Sequence, residues 1–232
     1  VVRAAMALAV SGALVVLSGC AGNAGEGGAD RGAGRAPATV EGFWFFTYSG
    51  RGDAPSGEAF AYVTENGTRL GGGIASEPLG GPLSGRRDGA TLDLEIEDVD
   101  GAPTVTVEGH VDGAWAEGEW TVTRAAGSRA LRGTFEADYF DPAELAPGEN
   151  PFVGAWNDFE DGGVTTLIFD EEFRFTGSEA DLEFGGQYAF DSERGLVGVY
   201  EADASSVHME KLSYRFEGPD TVVLNGSVYR RQ

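Results

Sequence analysis

The chain has 232 residues, of which 41% are hydrophobic and 11% aromatic, a composition too rich in core-forming side chains for a disordered protein. Its 37 glycines and 9 prolines favour short strands joined by turns over long helices. The net charge is −22, and because nucleic-acid binding depends on cations that neutralise phosphates, we expect no nucleic-acid partner.

Residues 1–19 are typical of a secretory signal. They carry one cation, Arg3, no acid, and a mostly apolar run that is too short for the ~20 residues of a membrane-spanning helix. The run ends in Leu17-Ser18-Gly19-Cys20, which resembles a bacterial lipobox at all four positions. The resemblance implies that residues 1–19 are a removed signal peptide. It also implies that Cys20 carries a covalent diacylglycerol and an acyl chain.

The lipobox resemblance implies a protein of the bacterial cell envelope, held by its lipid on the extracytoplasmic side of a membrane. Ala21, rather than Asp, follows the cysteine, which in a diderm host implies the outer membrane. Cys20 is the only cysteine, so no disulfide forms within the chain. Residues 20–39 are mostly Gly, Ala and scattered charges without a hydrophobic period, which predicts a flexible tether with a reach of ~25 Å.

Beyond the tether, the sequence predicts an all-β protein. Leu92, Leu94 and Ile96 alternate with acids, the period-two pattern of a half-buried strand. Pairs such as Asn66-Gly67 between such segments are typical of tight hairpins. We predict two tandem small antiparallel meander barrels, residues 40–140 and 152–232, with a Pro-rich linker over 141–151.

The first predicted strand carries aromatic side chains on both faces. It reads Phe43-Trp44-Phe45-Phe46, whereas a barrel strand with one wet face should alternate. We predict that Trp44 and Phe46 enter the barrel and that Phe43 and Phe45 face outward. The outward pair then needs cover, either from the second module or from a partner.

A Gly-x-Trp sequence opens each module, at Gly42-Phe43-Trp44 and at Gly154-Ala155-Trp156. Together with an arginine on a late strand, this pattern resembles the calycin/lipocalin superfamily. The resemblance implies that the tryptophan packs across the closed end of the barrel under the arginine. The implied pairs are Trp44 with Arg124 and Trp156 with Arg230, with a structural role in barrel closure.

The sequence contains few candidates for a catalytic or metal-binding site. His110 and His208 are far apart and fall in different modules, so no zinc site assembles locally. Carboxylates are abundant, and their spacing does not indicate whether any two of them face one cleft. We predict that the protein is not an enzyme and that it holds no metal and no cofactor apart from the lipid on Cys20.

Two functions remain open from the sequence. In the first, a lipocalin-like barrel binds a small apolar or amphiphilic ligand in an aromatic mouth. The candidate binding residues are Phe46, Tyr62, Trp120, Tyr188 and Phe190. In the second, both barrels are filled with side chains and form a structural or inhibitor-like module that meets another envelope protein. Cavity volume distinguishes them, because a ligand needs a pocket above ~300 Å³.

Overall fold

The computed structural model describes residues 39–76, 80–97, 105–123, 130–158, 165–179, 182–202 and 207–232. In these ranges the chain forms two closed, eight-stranded antiparallel barrels in tandem, which confirms the predicted fold class. Closure pairs every strand on both sides and leaves no sheet edge. Cys20 lies outside the described residues, so its predicted lipidation stays a prediction.

The first barrel is a meander in which β1 also pairs with β8. Its strands are β1 (Gly42–Gly50), β2 (Gly57–Asn66), β3 (Arg69–Ala75), β4 (Gly81–Asp88), β5 (Thr91–Ile96), β6 (Val105–Asp112), β7 (Trp115–Val122) and β8 (Leu131–Tyr139). On β5, Leu92, Leu94 and Ile96 are buried while the acids between them are exposed, so the period-two prediction is confirmed there.

The second barrel repeats the meander, and β16 pairs with the first strand of the barrel, β9. Its strands are β9 (Gly154–Asp158), β10 (Thr165–Phe169), β11 (Arg174–Glu179), β12 (Leu182–Asp191), β13 (Leu196–Ala202), β14 (Val207–Phe216), β15 (Thr221–Leu224) and β16 (Ser227–Arg231). The Pro-rich segment before β9 contains a 3₁₀ helix, Pro142–Glu144. Leu145, just after this helix, packs against the core of the second barrel.

Each barrel begins with the same local arrangement. A buried apolar residue, Val40 or Phe152, lies four residues before a buried tryptophan. The indole Nε1 of Trp44 donates to the carbonyl oxygen of Val40 at 2.9 Å, and that of Trp156 donates to the carbonyl oxygen of Phe152 at 2.6 Å. Because the buried indole N–H is paired in both cases, each tryptophan closes its barrel end without an unsatisfied donor.

The arginine over Trp156 is Arg231, which corrects the predicted pair with Arg230. The Cζ of Arg231 lies 4.3 Å from the centre of the indole ring. The strand register explains the difference: Arg231 is directly opposite Trp156, whereas Arg230 is opposite Asn157 and is exposed on the outer face. Arg231 also donates to the carbonyl oxygens of Val153 and Pro151. The other predicted partner, Arg124, lies outside the described residues.

Replacing Arg231 with alanine should therefore destabilise the second barrel by about 1–3 kcal/mol, because the cation–π contact and the bonds to the backbone carbonyls are lost together. Arg230→Ala is the matched control, since it removes the same charge from the neighbouring exposed position. Urea denaturation of both variants measures the difference. Equal losses of stability would contradict the assignment of the ring contact to Arg231.

Glu65 on β2 holds the chain that enters the first barrel. Its Oε2 accepts hydrogen bonds from the Thr39 hydroxyl and the Val40 amide, both at 2.8 Å, and its Oε1 lies 3.2 Å from Nη1 of Arg87. Burial by itself would raise the pKa of Glu65, but these hydrogen bonds and the charge of Arg87 outweigh it and lower the pKa below its usual value.

Because the pKa of Glu65 is lower in the folded protein, the stability that it contributes is present above its unfolded-state pKa and is lost as the pH falls through its folded-state pKa. We expect Glu65→Gln to reduce the dependence of the unfolding free energy on pH between about pH 3 and about pH 6. Urea denaturation across that range measures it, with the exposed Glu95→Gln as control. An unchanged pH dependence in Glu65→Gln would count against this anchoring role.

Candidate functional site

The interior of the first barrel leaves little space. A cavity of about 30 Å³ lies near the end where β1 finishes, a tenth of the volume that a small-molecule pocket needs. Its apolar wall includes Phe46 and Trp120, two of the predicted ligand-binding residues, together with Phe135. Both are therefore core residues of a packed barrel end, and the hydroxyls of Ser76 and Tyr48 bond to each other beside them at 3.0 Å.

Tyr62 lies on the outside of the first barrel, which corrects its predicted position in a barrel mouth. Its ring stacks on Tyr200 of the second barrel, with 4.1 Å between the ring centres. Phe43 and Phe45 belong to the same cluster between the barrels, while Trp44 points into the first barrel. The predicted orientation of the β1 aromatics is thus confirmed, and the second barrel supplies their cover.

The contact between the barrels is close-packed. Phe60 is fully buried and lies against Gly198 of β13, where a Cβ atom would come within 2.4 Å of the ring. At the edge of the contact, Nζ of Lys211 donates to the carbonyl oxygen of Glu58 at 2.8 Å. Glycine at position 198 therefore allows the β13 backbone to approach the aromatic ring.

Gly198→Ala tests this contact. The added methyl group must displace Phe60, so we expect a loss of about 1–3 kcal/mol in unfolding free energy. Gly71→Ala is the control, because a Cβ there meets mainly the Thr64 side chain at 3.1 Å. Thermal and urea unfolding of both variants give the comparison, and a Gly198→Ala protein as stable as the unsubstituted one would refute tight packing at this position.

Tyr188 and Phe190 lie inside the second barrel, on the half that Phe152 closes. Phe152 contacts both rings, and the Tyr188 hydroxyl accepts from Asn150 Nδ2 at 2.7 Å and donates to the Asp170 carbonyl oxygen at 3.1 Å. Tyr188 is fully buried, and its polar atom is satisfied within the protein. Both side chains are thus part of the closed, aromatic half of this barrel.

The opposite end of the second barrel is lined by titratable side chains instead of aromatic ones. On β14, Leu212 packs in the barrel core, whereas Lys211 bonds outward to the first barrel. Because strand neighbours alternate between faces, His208 and Glu210 point inward with Leu212. On β13, Glu201 lies directly opposite His208 and faces inward with it. These three titratable side chains therefore line the inside of the barrel end.

The barrel register adds a second group from the other side. Tyr229 on β16 pairs with Asp158 on β9, Asp158 pairs with Thr165 on β10, and Thr165 pairs with Glu179 on β11. Residues directly opposite in antiparallel strands share one face, and Tyr229 is part of the barrel core, so this row also faces inward. We call the combined set the mouth cluster: Asp158, Glu179, Glu201, His208, Glu210 and Tyr229.

The electrostatics show that the two sides of the mouth cluster interact. Burial raises the pKa of Tyr229 to about 12, and the negative charges of Asp158, Glu179 and Glu210 add to that shift. Burial also raises the pKa of Glu201, with Glu210 acting in the same direction. These carboxylates therefore disfavour further negative charge at the Tyr229 hydroxyl, which stays protonated at neutral pH.

His208 is the one basic group in the mouth cluster. The carboxylate of Glu210, with its Oε2 3.8 Å from Nε2, raises the pKa of His208, and Glu201 acts in the same direction. The side chain is exposed at the rim. The histidine is thus a weak, pH-dependent counter-charge for the surrounding carboxylates.

The sequence did not reveal this site, although its parts were visible. Its members extend from position 158 to position 229 and come from five strands, so no local motif joins them. One signal was available: the inward positions of the second module change from apolar to acidic near several strand ends, as in Trp156 followed by Asp158, or Leu212 preceded by Glu210. That change marks the end of the barrel that the aromatic core does not occupy.

Comparison with known proteins adds no assignment: no family model matches this chain, and no curated protein matches it. Among the residues that the structure describes, no helix has the length and apolar character needed to cross a membrane. Within the same ranges, no three His, Cys, Asp or Glu side chains come together in a group that could hold a metal ion.

Proposed function

We propose that the protein is a lipid-anchored lipoprotein of the bacterial envelope that binds a small amphiphilic ligand, without catalysis, at the mouth cluster of its second barrel. The first barrel acts as a packed support. The observation that carries the proposal is the mouth cluster itself, in which four carboxylates and His208 face inward beside Tyr229 at one end of the barrel.

An arrangement of this kind costs stability. Carboxylates held close to one another repel, and partial burial makes their charged forms less favourable. Natural proteins retain such unfavourable local arrangements mainly at functional sites, which supports a ligand for the mouth cluster.

The anchoring half of the proposal rests on the lipobox-like Leu17-Ser18-Gly19-Cys20 and on the Gly- and Ala-rich tether that follows it. The first described residues, Thr39 and Val40, are bound by Glu65 at one end of the first barrel, and Val40 is buried in its core. A tether that ends in a firm attachment would hold both barrels at a distance from the membrane surface.

The alternative function, a structural or protein-interaction module, is favoured by one observation: the cavity of about 30 Å³ in the first barrel is too small for a ligand. If the second barrel also takes up nothing, the pair of barrels is best explained as a rigid scaffold whose outer surface meets another envelope protein.

Native mass spectrometry of the full exported chain, purified in mild detergent and exposed to a host lipid and metabolite extract, tests the proposal. We expect one small molecule per chain in the unsubstituted protein and none in Thr165→Trp, where the indole fills the mouth. Thr166→Trp, one residue along on the outer face, is the matched control and should keep the ligand. Circular dichroism confirms beforehand that both variants are folded.

An unsubstituted protein that shows only its apo mass, with no uptake from the extract, would overturn ligand binding and leave the scaffold function. Retention of the ligand by Thr165→Trp would also overturn the proposal, because the bound molecule would then occupy a different part of the chain.

A further inference from the structure

We infer that the second barrel binds an extended segment of another polypeptide, which pairs as an added strand with residues 207–212 of β14 and carries basic side chains at every second position. The inference goes beyond the proposed function, because it assigns a protein partner to the backbone of the barrel wall. Two independent observations carry it: backbone groups of β14 that no neighbouring strand pairs, and carboxylates that line the barrel beside them.

The first observation concerns how far neighbouring strands overlap. Barrel closure gives each strand a partner on both sides, but β15 pairs only with Tyr214–Phe216 of β14, and Asn225 in the next turn adds one bond to the Ser213 carbonyl oxygen. Residues 207–212 extend beyond the β15–β16 hairpin and pair with β13 alone in the part of the chain that the structure describes. We call this stretch the β14 edge.

The direction of the backbone groups on the β14 edge follows from the bonds next to it. Tyr214 N–H donates to the Gly195 carbonyl oxygen on the β13 side at 2.7 Å, whereas the Ser213 carbonyl oxygen accepts from Asn225 on the β15 side. Because successive residues direct their backbone groups to alternate sides, Met209 and Lys211 direct N–H and C=O away from β13. Within the described ranges these groups have no backbone partner, so they offer the template that an added strand needs.

The second observation is the charge next to the β14 edge. Directly opposite residues of paired strands share one face, so the residues of an added strand opposite His208 and Glu210 would point into the barrel. Glu201 lies there opposite His208, and the charge of Glu210 reaches Tyr229 across the barrel. Lysine or arginine at these positions would form charge-assisted hydrogen bonds with the carboxylates.

The alternate positions of the added strand would face the first barrel. Met209 packs against the aromatic cluster between the barrels, and Nζ of Lys211 donates to the carbonyl oxygen of Glu58 at 2.8 Å. An apolar side chain beside Met209 would remove apolar surface from water. The partner segment therefore alternates basic and apolar residues. A second copy of this chain fits less well, because each copy carries a net charge of −22.

Two heptapeptides of alternating valine and lysine test the inference by isothermal titration into the full exported chain. The first is N-methylated at each lysine, so the valine N–H groups can still pair with β14 while the other edge of the peptide is blocked. The second is N-methylated at every residue and keeps the same charges without any strand-pairing donor. We expect the first to bind one per chain and at least about tenfold more tightly than the second.

Amide hydrogen exchange, followed by NMR, locates the bound peptide. In the protein alone, the amides of Met209 and Lys211 should exchange faster than those of His208 and Glu210, which point to β13. Binding of the first peptide should slow exchange at Met209 and Lys211. Binding without this protection would overturn the inference, because the peptide would then occupy another surface.

Met209→Pro removes one N–H from the β14 edge and leaves the bonds to β13 in place. Met209→Ala is the matched control, since it shortens the same side chain and keeps the N–H. After circular dichroism shows both variants folded, the first peptide should bind about tenfold more weakly to Met209→Pro than to Met209→Ala. If Met209→Pro does not fold, the two peptides and the amide exchange still decide.

The remaining outcomes are equally decisive. Equal affinity of the two peptides would overturn the inference, because charge alone would then explain binding, and so would the absence of binding by the first peptide. A dimer of the chain in which the Met209 and Lys211 amides are already protected would also overturn it, since a second copy would then occupy the β14 edge. Native mass spectrometry of small ligands decides the proposed function separately.

Discussion

The pairing of β16 with β9 is the interaction on which the candidate site depends. It closes the second barrel, and it puts Tyr229 directly opposite Asp158 and Arg231 directly opposite Trp156. A shift of one residue in this register would move all these side chains to the other face of the sheet. One set of backbone hydrogen bonds therefore determines both the cation–π contact at the closed end and the acidic surroundings of Tyr229 at the other end.

The features that could be predicted from the sequence are those that depend on local sequence patterns. Alternation of apolar and polar residues, turn pairs such as Asn66-Gly67 and the repeated Gly-x-Trp were sufficient to predict two antiparallel barrels, because strand pairing in a meander follows chain order. The outward orientation of Phe43 and Phe45 could also be predicted, since a strand cannot direct four successive aromatics to one face.

The remaining part depends on register and on contacts between distant residues. Arg230 and Arg231 are identical neighbours, and only the offset of β16 against β9 decides which of them covers Trp156. An aromatic residue such as Tyr62 is typical of a ligand pocket. Its actual position on the outside of the first barrel follows from packing against Tyr200, which lies 138 residues further along the chain. The mouth cluster needs closure of the whole barrel, which no single segment encodes.

The attachment of the entering chain to Glu65 has a mechanical consequence. Thr39 and Val40 precede β1, yet their hydrogen bonds go to a side chain of β2, which is in turn held by Arg87 of β4. A force that pulls on the chain ahead of Thr39 is thus transmitted to three strands at once. Strand β1 is loaded together with its neighbours and is not peeled from the barrel one hydrogen bond at a time.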